Sequence, residues 1–292
     1  MQSWSQRQAE IAALAERQLF FVGGAPRSGT TWLQHILDAH PDICCRGEGH
    51  FLHFLAEPIG HAMQRRREQL QGKNTRLFRD LGGYKLPDPE DVEFLVGSAI
   101  LSALLQQCDD HPYPIVGEKT PENVFYFPNL KRLFPGAKFV GIARDPRDIL
   151  VSAWHMIPRG RRQGGEAIEQ MPFIRQAVGA VGQFTSGLLS LRQRYPADVL
   201  IVTYEALLSD PETTVGALYR FLGAADSPAI VADSIARTSF AAMSGRPAGV
   251  EDNSAFMRKG VAGDWRVHLT PEMNELILGQ LGPLFAQFGW ER

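Results

Sequence analysis

The 292-residue sequence has little cysteine and no long hydrophobic run. Its three cysteines are Cys44, Cys45 and Cys108, and the neighbours Cys44 and Cys45 could bridge each other only with strain. We therefore expect free thiols in a reducing cytoplasm. No apolar run approaches the roughly 20 residues that cross a bilayer, and residues 1–18 lack the apolar segment of a secretion signal. These absences predict a cytoplasmic protein without a membrane partner.

The sequence also has no large excess of positive or negative charge. Lys and Arg total 30 against 32 Asp and Glu, a formal charge of −2, so no global field attracts nucleic acid. Any anion site must be local. No residues show metal-ligand spacing, so no metal is expected. Hydrophobic residues make up 44% of the chain, enough for a single domain over residues 1–292.

Short apolar runs alternate with helical periodicity. Strands are predicted at 19–23, 115–116, 138–143 and 199–203, and helices at 8–18, 30–39, 92–105, 149–156, 174–194 and 271–288. This alternation predicts an α/β fold, a parallel β-sheet flanked by helices, with ligands at the carboxyl ends of the strands. Over residues 237–266, glycines and Pro247 interrupt the hydrophobic spacing of both helices and strands. This segment is therefore predicted to be a long loop that acts as a lid.

Residues 24–31, Gly-Ala-Pro-Arg-Ser-Gly-Thr-Thr, join the first predicted strand to the next helix and are called the phosphate turn below. Backbone N–H groups in such a turn and at the helix N-terminus converge on one anion. The ATP and GTP version of this turn has a lysine directly after its second glycine, where this chain has Thr30. Arg27 lies three residues earlier, and its guanidinium can bind anionic oxygens in a bidentate manner.

The segment Arg27-Ser28-Gly29-Thr30-Thr31 resembles the sulfotransferases that use 3′-phosphoadenosine 5′-phosphosulfate (PAPS). The resemblance implies their P-loop nucleotide-hydrolase-like fold, PAPS as sulfuryl donor and PAP as product. In that family this segment binds the 5′-phosphosulfate. The arginine at position 27 resembles the motif of the tyrosylprotein and carbohydrate branches. Trp32 is similar to the cytosolic small-molecule branch, where it lies against the adenine.

Two further segments resemble the family. Arg144-Asp145-Pro146-Arg147-Asp148 follows a predicted strand, and an Arg there can converge with Ser152 of the next helix on one phosphate. The resemblance assigns Arg144 and Ser152 to the donor's 3′-phosphate. Arg258-Lys259-Gly260, followed by Gly263-Asp264-Trp265, is similar to the cytosolic branch, and its two cations can close over a phosphate.

The adenine and the sulfuryl group have further predicted contacts. Thr238-Ser239-Phe240 resembles the family's adenine-contacting segment, and Tyr204 occupies the place of its tyrosine after a strand. Loss of one charge-stabilising group in such a site costs about 10²- to 10³-fold in rate. Arg27 and Lys119 are the candidates for that role.

The general base is open between two carboxylates. In the cytosolic branch a histidine lies two positions after the lysine of a Lys-Thr-His segment, but Pro121 follows Lys119-Thr120 here. Glu118 resembles the base of the heparan-type branch and Glu48 that of the tyrosylprotein branch. We favour Glu118, because a strand would hold its backbone rigidly. His50 is a third candidate.

Two other functions remain as alternatives. One is a P-loop kinase or nucleotide triphosphatase that uses ATP, which the missing lysine at Thr30 disfavours. The other is a noncatalytic nucleotide-binding protein on the same fold. If the protein is a sulfotransferase, we expect its acceptor to be a hydroxyl or amine of a small molecule or carbohydrate. Residues 266–275 loosely resemble the cytosolic branch's dimer segment, which predicts a homodimer.

Overall fold

A five-stranded parallel sheet forms the centre of the protein. The computed structural model describes residues 3–78, 82–108, 111–157, 169–252 and 255–292. The strands are β1 (Gln18–Gly24), β2 (Ile43–Arg46), β3 (Ile115–Lys119), β4 (Lys138–Ala143) and β5 (Val199–Thr203), in the order β2-β3-β1-β4-β5. Each neighbouring pair is parallel. The predicted parallel sheet is therefore confirmed, although β2 was not predicted.

Helices flank this sheet. They are α1 (Trp4–Ala15), α2 (Thr30–Asp38), α3 (Glu57–Leu77), α4 (Pro89–Gln107), α5 (Asn123–Leu133), α6 (Pro146–Met156), α7 (Gln170–Arg194), α8 (Tyr204–Ser209), α9 (Pro211–Leu222), α10 (Pro228–Arg237), α11 (Phe240–Ser244), α12 (Trp265–His268) and α13 (Pro271–Phe288). A π-helical turn, Leu52–Ala56, precedes α3. In the part of the chain that the structure describes, no helix has both the length and the apolar character needed to span a bilayer.

The hydrophobic core lies on both faces of the sheet, because side chains alternate along each strand. Phe21 and Phe139 belong to the cluster on one face. Phe20 and Val140 belong to the cluster on the other face. These four side chains are fully buried. Burial on both faces explains why the strands are uninterrupted apolar runs in the sequence.

Two predicted segments differ from the structure. The first helix lies at Trp4–Ala15 rather than at 8–18, because Ser3 caps it and forms a capping box with Gln6. The predicted loop over 237–266 is interrupted by the short helix α11, whose N-cap Ser239 accepts a hydrogen bond from the N–H of Ala242. By contrast, the predicted helix at 271–288 matches α13 at both ends.

Candidate active site

The carboxyl ends of the strands open into a cavity of about 480 Å³. Its lining includes most of the site residues predicted from the sequence: Arg27, Gly29, Thr30, Thr31, Trp32, Glu48, Arg144, Ser152, Tyr204, Thr238, Phe240, Arg258, Lys259 and Gly260. Ser28, Glu118 and Lys119 lie behind this lining and are almost completely buried. The fold thus brings residues from six separate segments to one cavity, as the strand-end rule predicts.

The phosphate turn has the backbone of an anion site. Arg27 has a φ of 73°, and Gly29, the N-cap of α2, has a φ of 102°. A Cβ at position 29 would lie 2.7 Å from the Tyr204 ring, so only glycine fits. No side chain of the described residues caps the first N–H groups of α2. The Ser28 hydroxyl is buried and likewise has no partner among the described residues. These donors fit a bound phosphate or sulfate group.

Three arginines surround this turn. Arg27 Nε donates to Ser152 Oγ at 3.2 Å, and Arg144 Nη1 donates to the Arg27 carbonyl at 3.2 Å. Burial, together with repulsion from Arg144 and Arg258, lowers the pKa of the Arg27 guanidinium. Arg27 thus lies close to two other positive charges, and a bound polyanion would relieve this repulsion.

Aromatic side chains form the other wall of the cavity. The rings of Trp32 and Tyr204 meet edge to face with centroids 5.3 Å apart, and Trp32 Nε1 donates to the Thr238 carbonyl at 2.9 Å. The guanidinium of Arg144 lies 4.1 Å above the centre of the Tyr204 ring. Phe240 packs against the backbone of Gly260, where a Cβ would clash with its ring. A flat apolar surface thus lies beside the cationic one, as a nucleoside requires.

Residues 245–265, of which 253–254 lie outside the described residues, form the segment that we call the lid. Its cations are paired with its own carboxylates: Arg258 contacts Glu251 at 2.8 Å and also Asp264, and Lys259 contacts Asp264 at 2.5 Å. Asp148 of α6 accepts hydrogen bonds from the N–H groups of Gly263 at 2.7 Å and Trp265 at 2.9 Å. The lid is therefore anchored over the cavity through its backbone.

Arg147 is a second anchor of the lid, and sequence reasoning gave it no role. Its guanidinium is fully buried and lies 3.6 Å from the centre of the Trp265 ring. It pairs with Asp145 at 2.7 Å and donates to the backbone carbonyl of Glu291 at 2.5 Å. Arg147 thus connects the end of β4, the lid and the C-terminal residues. Arginine is usually exposed, so its type alone gave no signal for burial.

Lys119 and Glu48 are in direct contact at the edge of the cavity. The Lys119 ammonium group lies 3.4 Å from the hydroxyl of Thr31 in the phosphate turn and forms an ion pair with Glu48. The Glu48 side chain is 44% exposed, whereas that of Lys119 is 3% exposed. His50 Nε2 lies 3.4 Å from the Glu48 carboxylate. The accessible carboxylate is therefore held next to the cation that borders the phosphate turn.

Glu118 lies on β3 and does not reach the cavity. It is fully buried and accepts hydrogen bonds from Gly49 N–H at 2.7 Å, from Asn123 Nδ2 at 3.0 Å and from the Thr120 hydroxyl. Burial raises its pKa despite these hydrogen bonds. Both carboxylate oxygens are thus occupied by the protein, and one of them fixes the turn that follows Glu48.

The parallel sheet and the phosphate turn define an α/β protein of the P-loop-like class, in which Thr30 stands where the lysine of the ATP and GTP version would be and Arg27 precedes it by three residues. The model of the sulfotransferase family matches residues 20–228. The chain therefore belongs to the sulfotransferase family.

Relatives of known sequence and structure agree with this assignment. A putative protein-tyrosine sulfotransferase of Caenorhabditis briggsae is 30% identical over 208 residues, covering 70% of this chain and 65% of the relative. Cytosolic sulfotransferase 17 of Arabidopsis thaliana is 31% identical over 178 residues, covering 53% and 51%. The match to these two relatives thus spans between half and two thirds of their length.

Solved structures show the same fold. Mouse sulfotransferase SULT7A1, crystallised with PAP, superposes with a TM-score of 0.56 at 19% identity and covers 97% of this chain and 90% of its own. A sulfotransferase of Alicyclobacillus acidocaldarius gives a TM-score of 0.54 at 19% identity, with coverage of 94% and 97%. At this identity the likeness establishes the fold.

Proposed function

We propose that the protein is an enzyme that transfers the sulfuryl group of PAPS to a hydroxyl or amine and releases PAP. The observation that carries this proposal is the convergence of Arg27, Arg144 and Arg258 on one cavity. A donor with two separate anionic ends matches that charge better than a single phosphate does. The PAP bound in the related mouse structure supports the same donor.

Each part of the donor has chemically suitable residues in the cavity. The phosphate turn, with its N–H groups, Ser28 and Arg27, would bind the 5′-phosphosulfate. Arg144, Ser152 and the lid cation Arg258 would bind the 3′-phosphate. Trp32, Thr238 and Phe240 form the wall for the adenine, and the remaining contacts come from the other lining residues Thr30, Thr31, Tyr204, Lys259 and Gly260.

In this proposal the protein aligns the donor and stabilises charge, because sulfuryl transfer resembles phosphoryl transfer through a loose transition state. The acceptor oxygen or nitrogen attacks sulfur in line, and the bond between sulfur and the phosphate oxygen of PAP breaks. Negative charge then develops on that phosphate oxygen. Lys119 and Arg27 are the nearby cations that stabilise it. The transfer requires no metal here, since these side chains supply the charge.

We assign the general base to Glu48 rather than to Glu118. A base must reach the acceptor's proton, and Glu48 lines the cavity while Glu118 is buried behind it. Glu118 acts instead as a positioning residue, because it holds Gly49 directly after Glu48. This assignment reverses the preference drawn from the sequence, and it agrees with the similarity of Glu48 to the tyrosylprotein branch.

The two alternative functions fit the cavity less well. A kinase needs an acidic side chain free to hold magnesium at a strand end, but Asp145 after β4 is bound to Arg147. A noncatalytic protein requires no general base. The contact between Lys119 and the accessible Glu48, however, holds a carboxylate that can act as a base beside a charge-stabilising cation.

The acceptor is a small molecule or carbohydrate in our proposal, with a protein tyrosine as second candidate because several relatives are protein-tyrosine sulfotransferases. A smaller cavity of about 160 Å³, lined by His50, Thr120, Glu122 and Tyr126 among others, adjoins the Glu48 side of the site.

We further propose a cytoplasmic location, since Cys44, Cys45 and Cys108 are free and buried. The homodimer stays a prediction for sedimentation analysis.

The test is transfer of radiolabelled sulfate from PAPS to a panel of phenols, alcohols, amines, sugars and a tyrosine peptide. Product should form with at least one class and should be lost with Lys119→Ala. A parallel panel with labelled ATP and magnesium should give none. Phosphoryl transfer from ATP, with no sulfate transfer to any acceptor, would contradict the proposal.

A further inference from the structure

Two histidines and a glutamate lie close together where the lid meets α6. His155 lies near the end of α6, Glu251 lies on the lid and His268 is the last residue of α12. One ligand atom from each lies within 4.8 Å of the other two, and the rings of His155 and His268 have centroids 4.9 Å apart. We propose that these three side chains bind one divalent transition-metal ion, of which zinc is the best match, and that the ion ties the lid to α6.

The donor set favours zinc over the commoner hard cations. Two imidazoles and one carboxylate are a typical zinc set, with nitrogen and oxygen atoms about 2.0–2.2 Å from the ion. Tetrahedral geometry then separates the ligand atoms by about 3.4 Å, so modest side-chain rotations from the present arrangement would close the site. Magnesium prefers oxygen ligands in an octahedron and should not compete.

Charged groups lie next to two of the proposed ligands, and the hydrogen bond from Arg258 orients Glu251. Glu251 contacts Arg258 through one carboxylate oxygen at 2.8 Å, and His268 Nε2 lies 3.2 Å from Asp264 Oδ2. Such outer contacts fix the direction of metal-binding side chains. Arg258 also lines the donor cavity. A metal here would therefore stabilise the lid that carries a cation for the donor, a consequence that rests on the proposed function, whereas the metal site itself does not.

His155 is distant in the sequence from Glu251 and His268, so no short spacing motif identifies the three ligands. They become neighbours because Asp148 and Arg147 hold the start of α12 against α6. From the sequence no metal is expected, because no residues show metal-ligand spacing, and this proposal departs from that expectation.

The experiment is titration of the untagged, metal-free full chain with Co²⁺, followed by visible ligand-field absorption, and with Zn²⁺ followed by calorimetry. One equivalent of each should bind, and excess Mg²⁺ should not displace it. His155→Ala and Glu251→Gln should each weaken binding at least roughly tenfold. His61→Ala, which removes an exposed histidine of α3, should leave it unchanged.

Glu251→Gln replaces a surface side chain and keeps its size, so it tests the site even if His155→Ala unfolds the protein. Absence of a saturable cobalt spectrum, or a spectrum unchanged in Glu251→Gln and His155→Ala, would overturn the metal site. PAP binding to the metal-free chain is measured in parallel. Its loss in every variant and in the wild type would contradict the proposed function instead.

Discussion

Asp148 accepts a hydrogen bond from the backbone N–H of Trp265 at 2.9 Å, and this contact joins α6 to the lid. The same carboxylate accepts the N–H of Gly263. Because Arg258 and Lys259 lie on the anchored segment, the contact couples a buried carboxylate to the donor cavity.

Removal of this anchor should weaken donor binding. Hydrogen bonds to a charged group contribute about 1.5–3 kcal/mol each, so Asp148→Ala should lower PAP affinity at least roughly tenfold, and Asp148→Asn less, because an amide oxygen can still accept one N–H. Calorimetry with PAP measures both. Asp42→Ala, an exposed carboxylate at the opposite end of the sheet, is the control. Unchanged affinity in Asp148→Ala would show that the lid holds its position without this contact.

Glu48→Gln and Glu118→Gln separate the two candidate bases. Neither glutamine can accept the acceptor's proton, but glutamine at 118 can still accept the Gly49 N–H. We expect Glu48→Gln to lower turnover at least about 10²-fold and Glu118→Gln to stay within about tenfold of the wild type. PAP binding should persist in Glu48→Gln. The reverse order of the two variants would make Glu118 the base.

Asp264 gives a pH dependence to the stability of the lid. Burial alone would raise its pKa, but hydrogen bonds from Lys259 and Arg258 outweigh burial and lower the pKa from 3.8 to about 2. The unfolded chain therefore binds more protons than the folded one between these values, so stability contributed by Asp264 is present above 3.8 and is lost as pH falls towards 2.

Urea unfolding measured over that acidic range checks this sign. As the pH is lowered, the free energy of unfolding should decrease more steeply for the wild type than for Asp264→Asn, which has no carboxylate to titrate at this position. Asp233→Asn, an exposed carboxylate on α10, controls for the loss of one negative charge. Equal slopes for the wild type and Asp264→Asn would mean that the ion pairs of Asp264 add no stability in solution.

Much of the fold follows directly from local sequence patterns. The runs at β1, β4 and β5 are apolar because both faces of the sheet are covered, and α13 is amphipathic with Thr270 as its N-cap. β2 was missed because it has only four residues, and two of them, Cys44 and Cys45, are not typical of strands. Its place beside β3 comes from long-range pairing.

The sequence predicts the donor site more fully than it predicts the general base. Turn residues such as Arg27 and Gly29 form a contiguous motif whose backbone geometry follows from its sequence. The choice between Glu48 and Glu118 depends on tertiary burial, because Glu118 lies on β3, which is buried along its whole length, whereas the Glu48 side chain is exposed. Asp148 and Arg147 act through contacts across more than a hundred residues, so no local pattern identified them.

In our proposal the cavity recognises a nucleotide with a 3′-phosphate. Competition binding of PAP against 5′-AMP, which lacks only that phosphate, and against ATP tests it directly. Because Arg144 and Arg258 supply charge-assisted hydrogen bonds to that group in our account, PAP should bind at least about 10²-fold more tightly than 5′-AMP. Equal affinity for PAP and 5′-AMP, or tighter binding of ATP than of PAP, would contradict the account.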